Sequence, residues 1–289
     1  AGEAVSWVAG VDGLTASTIA HDAVGIDEET LFITLNGAPD AVLAIDGATG
    51  AELWRVLGVN AECGPLVLAD GRVAVVASAG SSLAGGDSAA LVTLDPADGR
   101  VVDTVAWPEQ SAGSSETYCL PSILIDDRLM LVNGGLGDLT MWDVEDDPAF
   151  LWSPPGRGDF RDAVEAVPVS GGFVIKERVA GRPVLRLVEA GTGEVLDSYE
   201  NAGRWDRSEL VGDGDIVVLS SRSAVDGEGV TVDALQARDR RLASLWSMEA
   251  SDDPKAAPGS GLRALSISAG IVAAEGDESF VGLDARSGS

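Results

Sequence analysis

One short phrase returns six times along this chain, and no other feature restricts its fold as much. The clearest copy runs Ala44-Ile45-Asp46-Gly47-Ala48-Thr49-Gly50-Ala51-Glu52-Leu53-Trp54. Diverged copies place Asp95, Asp143, Glu189, Gln236 and Asp284 where Asp46 stands, at successive spacings of 49, 48, 46, 47 and 48 residues. Six units of that size account for all 289 residues. A fixed period of about 40–50 residues, carrying a glycine turn and a tryptophan, is the mark of a β-propeller.

Each unit reads as four short strands. In the second, strand A is Leu66–Ala69, strand B is Arg72–Ser78, strand C is Ala90–Asp95 and strand D is Arg100–Trp107. Strand B is apolar on alternate residues, as at Leu31, Ile33 and Leu35, or Phe173 and Ile175. A period of two is the signature of a strand, and no stretch carries helical spacing with caps. The last unit supplies strands A, B and C and stops at Ser287-Gly288, the turn before strand D. The chain opens on Val5-Ser6-Trp7, which reads as an orphan strand D. Joining the two completes a sixth unit and removes exposed sheet edges. The expectation is one all-β domain over residues 1–289: a six-bladed β-propeller with four antiparallel strands per blade, its ring closed by N- and C-terminal strands in one blade.

The phrase has a local physical reading. Asp46 and Thr49 are able to satisfy backbone donors in the C–D turn, Gly50 takes the positive φ that closes it, and Trp54 covers a seam between blades. Asp95 with Gly99, Glu189 with Gly193, and Asp284 with Gly288 keep the acidic residue and the turn glycine. Asp103 and Asp197 stand at the tryptophan offset in the second and fourth units. Trp152 and Trp246 come one and two places late in the third and fifth. The phrase resembles the tryptophan-docking repeat of the pyrroloquinoline-quinone-type (PQQ-like) propellers, and the whole chain is similar to the BamB-like, non-catalytic branch of that family. The quinone dehydrogenases of the family have eight blades, a calcium site and often adjacent cysteines. Here there are six units, cysteines 56 residues apart and no matching acidic-and-asparagine set. The resemblance therefore implies a scaffold with neither quinone cofactor nor metal.

Charge narrows the partners. Forty-seven acidic residues against 19 basic ones give a net charge of −28. Such a surface repels phosphate backbones and anionic lipid heads, which argues against nucleic acid. No apolar run reaches the roughly 18 residues of a spanning helix, so no membrane insertion is expected within this chain. A monomeric domain, trimmed of any leader or anchor, is expected.

Cys63-Gly-Pro-Leu-Val-Leu-Ala-Asp70-Gly-Arg72 matches Cys119-Leu-Pro-Ser-Ile-Leu-Ile-Asp126-Asp-Arg128 at cysteine, proline, leucine, aspartate and arginine. The thiols thus occupy equivalent positions in neighbouring units. Two readings stand: a disulfide between blades two and three, or two separate buried thiols. A bridge implies an oxidising, extracytoplasmic compartment.

Residues that carry chemistry are sparse. His21 is the only histidine and reads as a loop residue. The acidic pairs Glu28-Glu29, Asp146-Asp147 and Asp252-Asp253 fall in turns and read as solvated. Asp213-Gly214-Asp215 reads as an A–B turn before a calcium loop, and Arg157-Gly158-Asp159 as a chance tripeptide. The loops leading into each strand A, with the B–C loops, share one face, where propellers bind. That face includes Glu62, Glu116, Tyr118, Arg161, Arg204, Trp205, Arg207 and Lys255. Arg204-Trp205-Asp206-Arg207 stands out, because tryptophan and arginine are enriched at binding hot spots; a tryptophan that only packs its loop is the other reading. Three functions remain: an extracytoplasmic scaffold for a protein or peptide partner, a ligand-sensing ectodomain of a membrane receptor or Ser/Thr kinase, and a carboxylate- or metal-dependent glycosidase, lyase or lactonase. The first is preferred.

Overall fold

The structure, a computed structural model, describes residues 23–26, 29–35, 40–59, 64–107, 120–126, 129–133, 139–145, 148–152, 165–179, 182–200, 203–223, 229–251, 263–268, 270–275 and 280–289. Every regular element among them is a β-strand, and each sheet is an antiparallel meander. The chain divides into two compact units, Ala1–Ser153 and Pro154–Ser289.

The first unit holds three sheets. Sheet 1 is β1 (Ala23–Ile26), β2 (Thr30–Leu35), β3 (Ala41–Asp46) and β4 (Glu52–Leu57). Sheet 2 is β5 (Leu66–Val67), β6 (Val73–Ala77), β7 (Ala90–Leu94) and β8 (Val101–Ala106). Sheet 3 is β9 (Leu120–Ile125), β10 (Leu129–Asn133), β11 (Leu139–Asp143) and β12 (Ala149–Trp152). The second unit also holds three. Sheet 4 is β13 (Glu165–Val169), β14 (Gly172–Val179), β15 (Arg182–Glu189) and β16 (Val195–Glu200). Sheet 5 is β17 (Gly203–Asp213), β18 (Ile216–Ser223), β19 (Gly229–Arg238) and β20 (Arg241–Ser251). Sheet 6 is β21 (Arg263–Ser268), β22 (Ile271–Glu275) and β23 (Phe280–Asp284). Residues 1–22, where the closing strand was expected, lie outside the described residues.

The middle strands of sheet 2 are buried on both faces, because they lie between sheets 1 and 3. In sheet 2, Val73, Val75, Val92 and Leu94 pack with Phe32, Val42 and Trp54 of sheet 1. The alternate residues Ala74, Val76 and Leu91 pack with Trp142 and Val144 on the sheet 3 side. In β2 the period of two does mark a strand, but the apolar face named from the sequence is not the more buried one. Leu31 and Ile33 are only half-buried there, while Phe32 and Thr34, on the other face, are fully buried.

The recurring phrase forms the C–D turn. Asp46 Oδ1 accepts from Ala48 N at 3.0 Å, Thr49 N at 2.7 Å and Thr49 Oγ1 at 2.7 Å. Gly50, at φ 73°, closes the turn by donating its N–H to Asp46 O. Asp284 repeats the arrangement with Arg286 N, Ser287 N and Ser287 Oγ. Asp95 keeps the bond from Ala97 N, and Glu189 accepts from Thr192 Oγ1. Gly99, Gly193 and Gly288 share the positive φ. Hydrogen bonds to the charged form hold the Asp46 and Asp284 carboxyls below the ordinary aspartate value.

Trp54 links sheet 1 to sheet 2. Its indole N–H donates to Pro96 O at 2.8 Å, and its ring lies 5.5 Å from that of Phe32. A Cβ on Gly99 would come within 2.8 Å of the ring, so only glycine admits this contact. Trp246 makes the same arrangement with Ala285 O and Gly288. The late tryptophans are therefore not displaced in space. Ala44, Met141 and Ala234 pair with Trp54, Trp152 and Trp246, each beside a register shift that absorbs the extra residues. Asp103 and Asp197 pair with Thr93 and Leu187 at that same place. Asp197 also crosses a seam, with its Oδ2 accepting from Leu242 N at 2.9 Å. Where Trp54 donates to a backbone carbonyl of the next sheet, Asp197 accepts from a backbone N–H.

Candidate functional site

A meander sheet puts its A–B and C–D turns at one end. The start of strand A and the B–C connection lie at the other. The first end is taken up by the turn chemistry just described. Asp213-Gly214-Asp215 belongs to it: β17 stops at Asp213, Gly214 has φ 59°, and Asp215 accepts from Gln236 Nε2 and Arg286 Nη2. The residues picked for binding belong to the second end.

Glu62, Glu116, Tyr118, Arg161 and Lys255 lie outside the described residues, as do Cys63, Cys119, His21, Asp146-Asp147, Asp252-Asp253 and Arg157–Asp159. Arg204, Trp205 and Arg207 are described in backbone terms. They do not lie in a loop before strand A, as the sequence suggested, but inside β17 itself. The physical reason is the length of β18, which runs on to Ser223 and offers β17 a partner as far back as Gly203. The pairing is irregular. Gly203 stands opposite Ser223 and Ser208 opposite Ser221, so five steps on β17 face two on β18. Residues 204–207 therefore form a large bulge, a device that re-aims side chains and recurs beside binding sites.

The bulge runs into a group of buried polar side chains between sheets 4 and 5. Lys176, on β14, is only 2% exposed. Its Nζ donates to Glu165 Oε1 at 2.7 Å and to Ser208 O at 2.5 Å. Glu165 Oε2 in turn accepts from Leu210 N at 2.6 Å. Burial pushes the Lys176 ammonium below the ordinary lysine value, against the attraction of Glu165 and Glu209. Ser221 and Asp233 are buried in the same sheet. Burial, the Asp233 charge and a hydrogen bond to it push the Tyr199 hydroxyl up to about 12. Toward the turn end, Val174, Leu185, Leu187, Val217, Leu219 and Leu235 form an apolar cluster in the interior of the seam, with Asp197–Leu242 N and Arg240–Glu189 crossing it nearer the turns. From that cluster the seam grades from oil to charge as it nears the bulge. The sequence did carry a signal for this: the apolar run Phe173-Val174-Ile175 passes within one strand into the charged Lys176-Glu177-Arg178.

Among the described residues, no group of three His, Cys, Asp or Glu side chains is placed to hold a metal ion. Nor is any helix long and apolar enough to cross a membrane.

The family model described as outer membrane protein assembly factor BamB matches residues 3–221. Among solved structures, BamB from Moraxella catarrhalis is 18% identical with a TM-score of 0.51, over 90% of this chain and 71% of that one. The β-propeller domain of Myceliophteria thermophila Cps50 (Swd1) is 12% identical with a TM-score of 0.55, over 93% and 87%. A chain of a mitotic checkpoint complex is 12% identical with a TM-score of 0.61, over 93% and 78%. No curated protein matches this chain. At such identities the structural likeness speaks for the β-propeller fold alone. The family rests on the sequence model, which spans most of the chain, and this protein belongs to the BamB family of PQQ-like β-propellers.

Proposed function

We propose that this protein is an extracytoplasmic, non-catalytic interaction scaffold that binds a protein or peptide partner at the strand-A end of its sheets. Arg204, Trp205 and Arg207 are the proposed centre of that surface, and Arg161, Tyr118 and Glu116 are further candidate contacts on the sequence reading alone. The observation that carries the reading is the bulge in β17, which takes these residues out of the regular ladder at the end left free by the turns. The family's description as an assembly factor is consistent with a protein partner. With a net charge of −28, a partner of basic or mixed charge is favoured, and association weakens as salt rises.

The rest of the reading concerns the frame. The domain is a single six-bladed propeller of four-stranded blades, with residues near the N-terminus completing the last blade. Sheet 6 shows three strands among the described residues where the other five show four, which supports this. Deleting residues 1–8 is then expected to lower the stability of the whole domain. Cys63 and Cys119 form a disulfide between the second and third blades. The strands that follow them, β5 and β9, approach one another, and such a bridge fits an oxidising compartment.

Photo-crosslinking tests the binding surface. A benzoylphenylalanine is placed at position 205 in one variant and at position 240, on a C–D turn, in another. Both are illuminated with the membrane fraction of the source organism. A discrete adduct from position 205 alone supports the reading. An adduct from position 240 alone assigns the wrong end, and none from either refutes the scaffold.

A further inference from the structure

Lys176 and Glu165 invite a question of purpose. A buried ion pair is a poor means of raising stability, since apolar residues of similar volume do as well or better. This pair does something that apolar residues cannot. Strand β17 is the outer strand in its sheet's order, β17-β18-β19-β20, so one edge of its backbone has no strand partner. The ammonium of Lys176 is bound to Ser208 O and the carboxylate of Glu165 to Leu210 N. These two backbone groups come directly after the bulged residues 204–207. The bulge has given up regular pairing with β18, and its downstream end is fixed from the neighbouring sheet.

We propose that Lys176, together with Glu165, is a positioning residue for the Arg204–Arg207 segment: it clamps the backbone where the bulge rejoins the strand and so fixes the direction in which the segment is presented. The proposal rests on the reading that this segment binds the partner, and it deepens that reading by naming what holds the surface in shape. Pre-ordering a binding segment lowers the entropy lost on association. An ion pair anchored to backbone atoms keeps one register where apolar contacts would tolerate sliding. The two partners are adjacent in the sheet, with Glu165 directly opposite Lys176 across β13 and β14. Both members of the clamp therefore belong to sheet 4 and reach from it to the backbone of sheet 5.

The test uses the whole chain labelled with 5-fluorotryptophan, the Trp205 resonance being assigned through Trp205→Phe. Glu165→Leu with Lys176→Met replaces the pair by apolar residues of similar size. The fluorine lines of Trp54 and Trp246 are expected to stay in place, while the urea midpoint falls as Ser208 O and Leu210 N lose their partners. The Trp205 line is expected to shift or broaden, and amide exchange over residues 203–210 to quicken about tenfold relative to the rest of β17. Lys176→Arg, which retains donors and charge, is expected to restore the Trp205 line. A folded double variant with an unchanged Trp205 line and unchanged exchange overturns the proposal. Should that variant not fold, Glu165→Gln decides instead, since one amide cannot serve both Lys176 Nζ and Leu210 N as the carboxylate does; the same two outcomes apply. Loosened exchange with undiminished crosslinking from position 205 would keep the clamp but refute the link between its order and binding. Absence of any adduct in the parent chain refutes the binding surface and leaves the clamp standing.

Discussion

Replacing Trp54 by alanine tests the docking of sheet 1 on sheet 2 directly. The indole is 9% exposed, stacks obliquely on Phe32, lies against Gly99 and donates to Pro96 O. A buried aromatic removes about 150–250 Å² from water. At about 25 cal/mol per Å² that is worth about 4–6 kcal/mol. Partial collapse of the seam returns some of this, and aromatic-to-alanine changes in cores cost about 3–5 kcal/mol. That range is expected for Trp54→Ala, read from urea unfolding with an unchanged slope. Gly99 supplies an internal control. Its φ of 71° strains any side chain, and an added Cβ would lie 2.8 and 2.9 Å from two ring atoms. Gly99→Ala therefore carries a backbone cost and a contact with Val56 Cγ2 at 3.0 Å in every background, and its closest clash only where the indole is present. The double variant should be more stable than the sum of the two changes by about 0.5–3 kcal/mol. A loss below about 1 kcal/mol for Trp54→Ala, or strictly additive effects with Gly99→Ala, would refute the docking argument.

Asp197→Ala should cost about 1–2 kcal/mol, because Leu242 N loses its acceptor across a seam, and Asp197→Asn should recover most of it; chemical denaturation reads both. One tyrosine should ionise near pH 12 in an ultraviolet titration, and Asp233→Asn should bring it down, since the charge that disfavours the phenolate is lost. The carboxyls of Asp46 and Asp284 are depressed when folded, so their contribution is present above about pH 4 and disappears as the pH falls through the folded value. Asp46→Asn and Asp284→Asn should each flatten the acid limb of stability measured against pH. Thiol titration of the unfolded, unreduced chain should find no free thiol, and two per chain would remove both the bridge and the compartment argued from it.

The sequence by itself determined what depends on near neighbours. An aspartate, a small hydroxyl residue and a glycine within five positions make their own turn, so Asp46, Thr49 and Gly50 announce a C–D hairpin wherever they stand. Their return at a fixed period repeats that hairpin, and with it the meander sheet. Six returns were thus enough to read an all-β propeller and to pick Trp54. Tertiary structure decided what depends on pairing across tens of residues. Trp246 falls two places late in the sequence, yet a register shift returns it to the place of Trp54. Asp197 looks like the loss of a docking tryptophan, and only Leu242, 45 residues on, shows that it docks by accepting where Trp54 donates. Arg204–Arg207 read as a loop because their own composition is polar, but the length of β18 draws them into a strand. Lys176 likewise depends on distant partners. A lysine is ordinarily a surface residue, and the apolar run Phe173–Ile175 beside it does not name the partners that make its burial tolerable. Its partners Glu165 and Ser208 come from two other strands, one of them in the neighbouring sheet. Burying a charge is tolerable only where such partners converge, and it is the packing of one sheet on the next that brings them together.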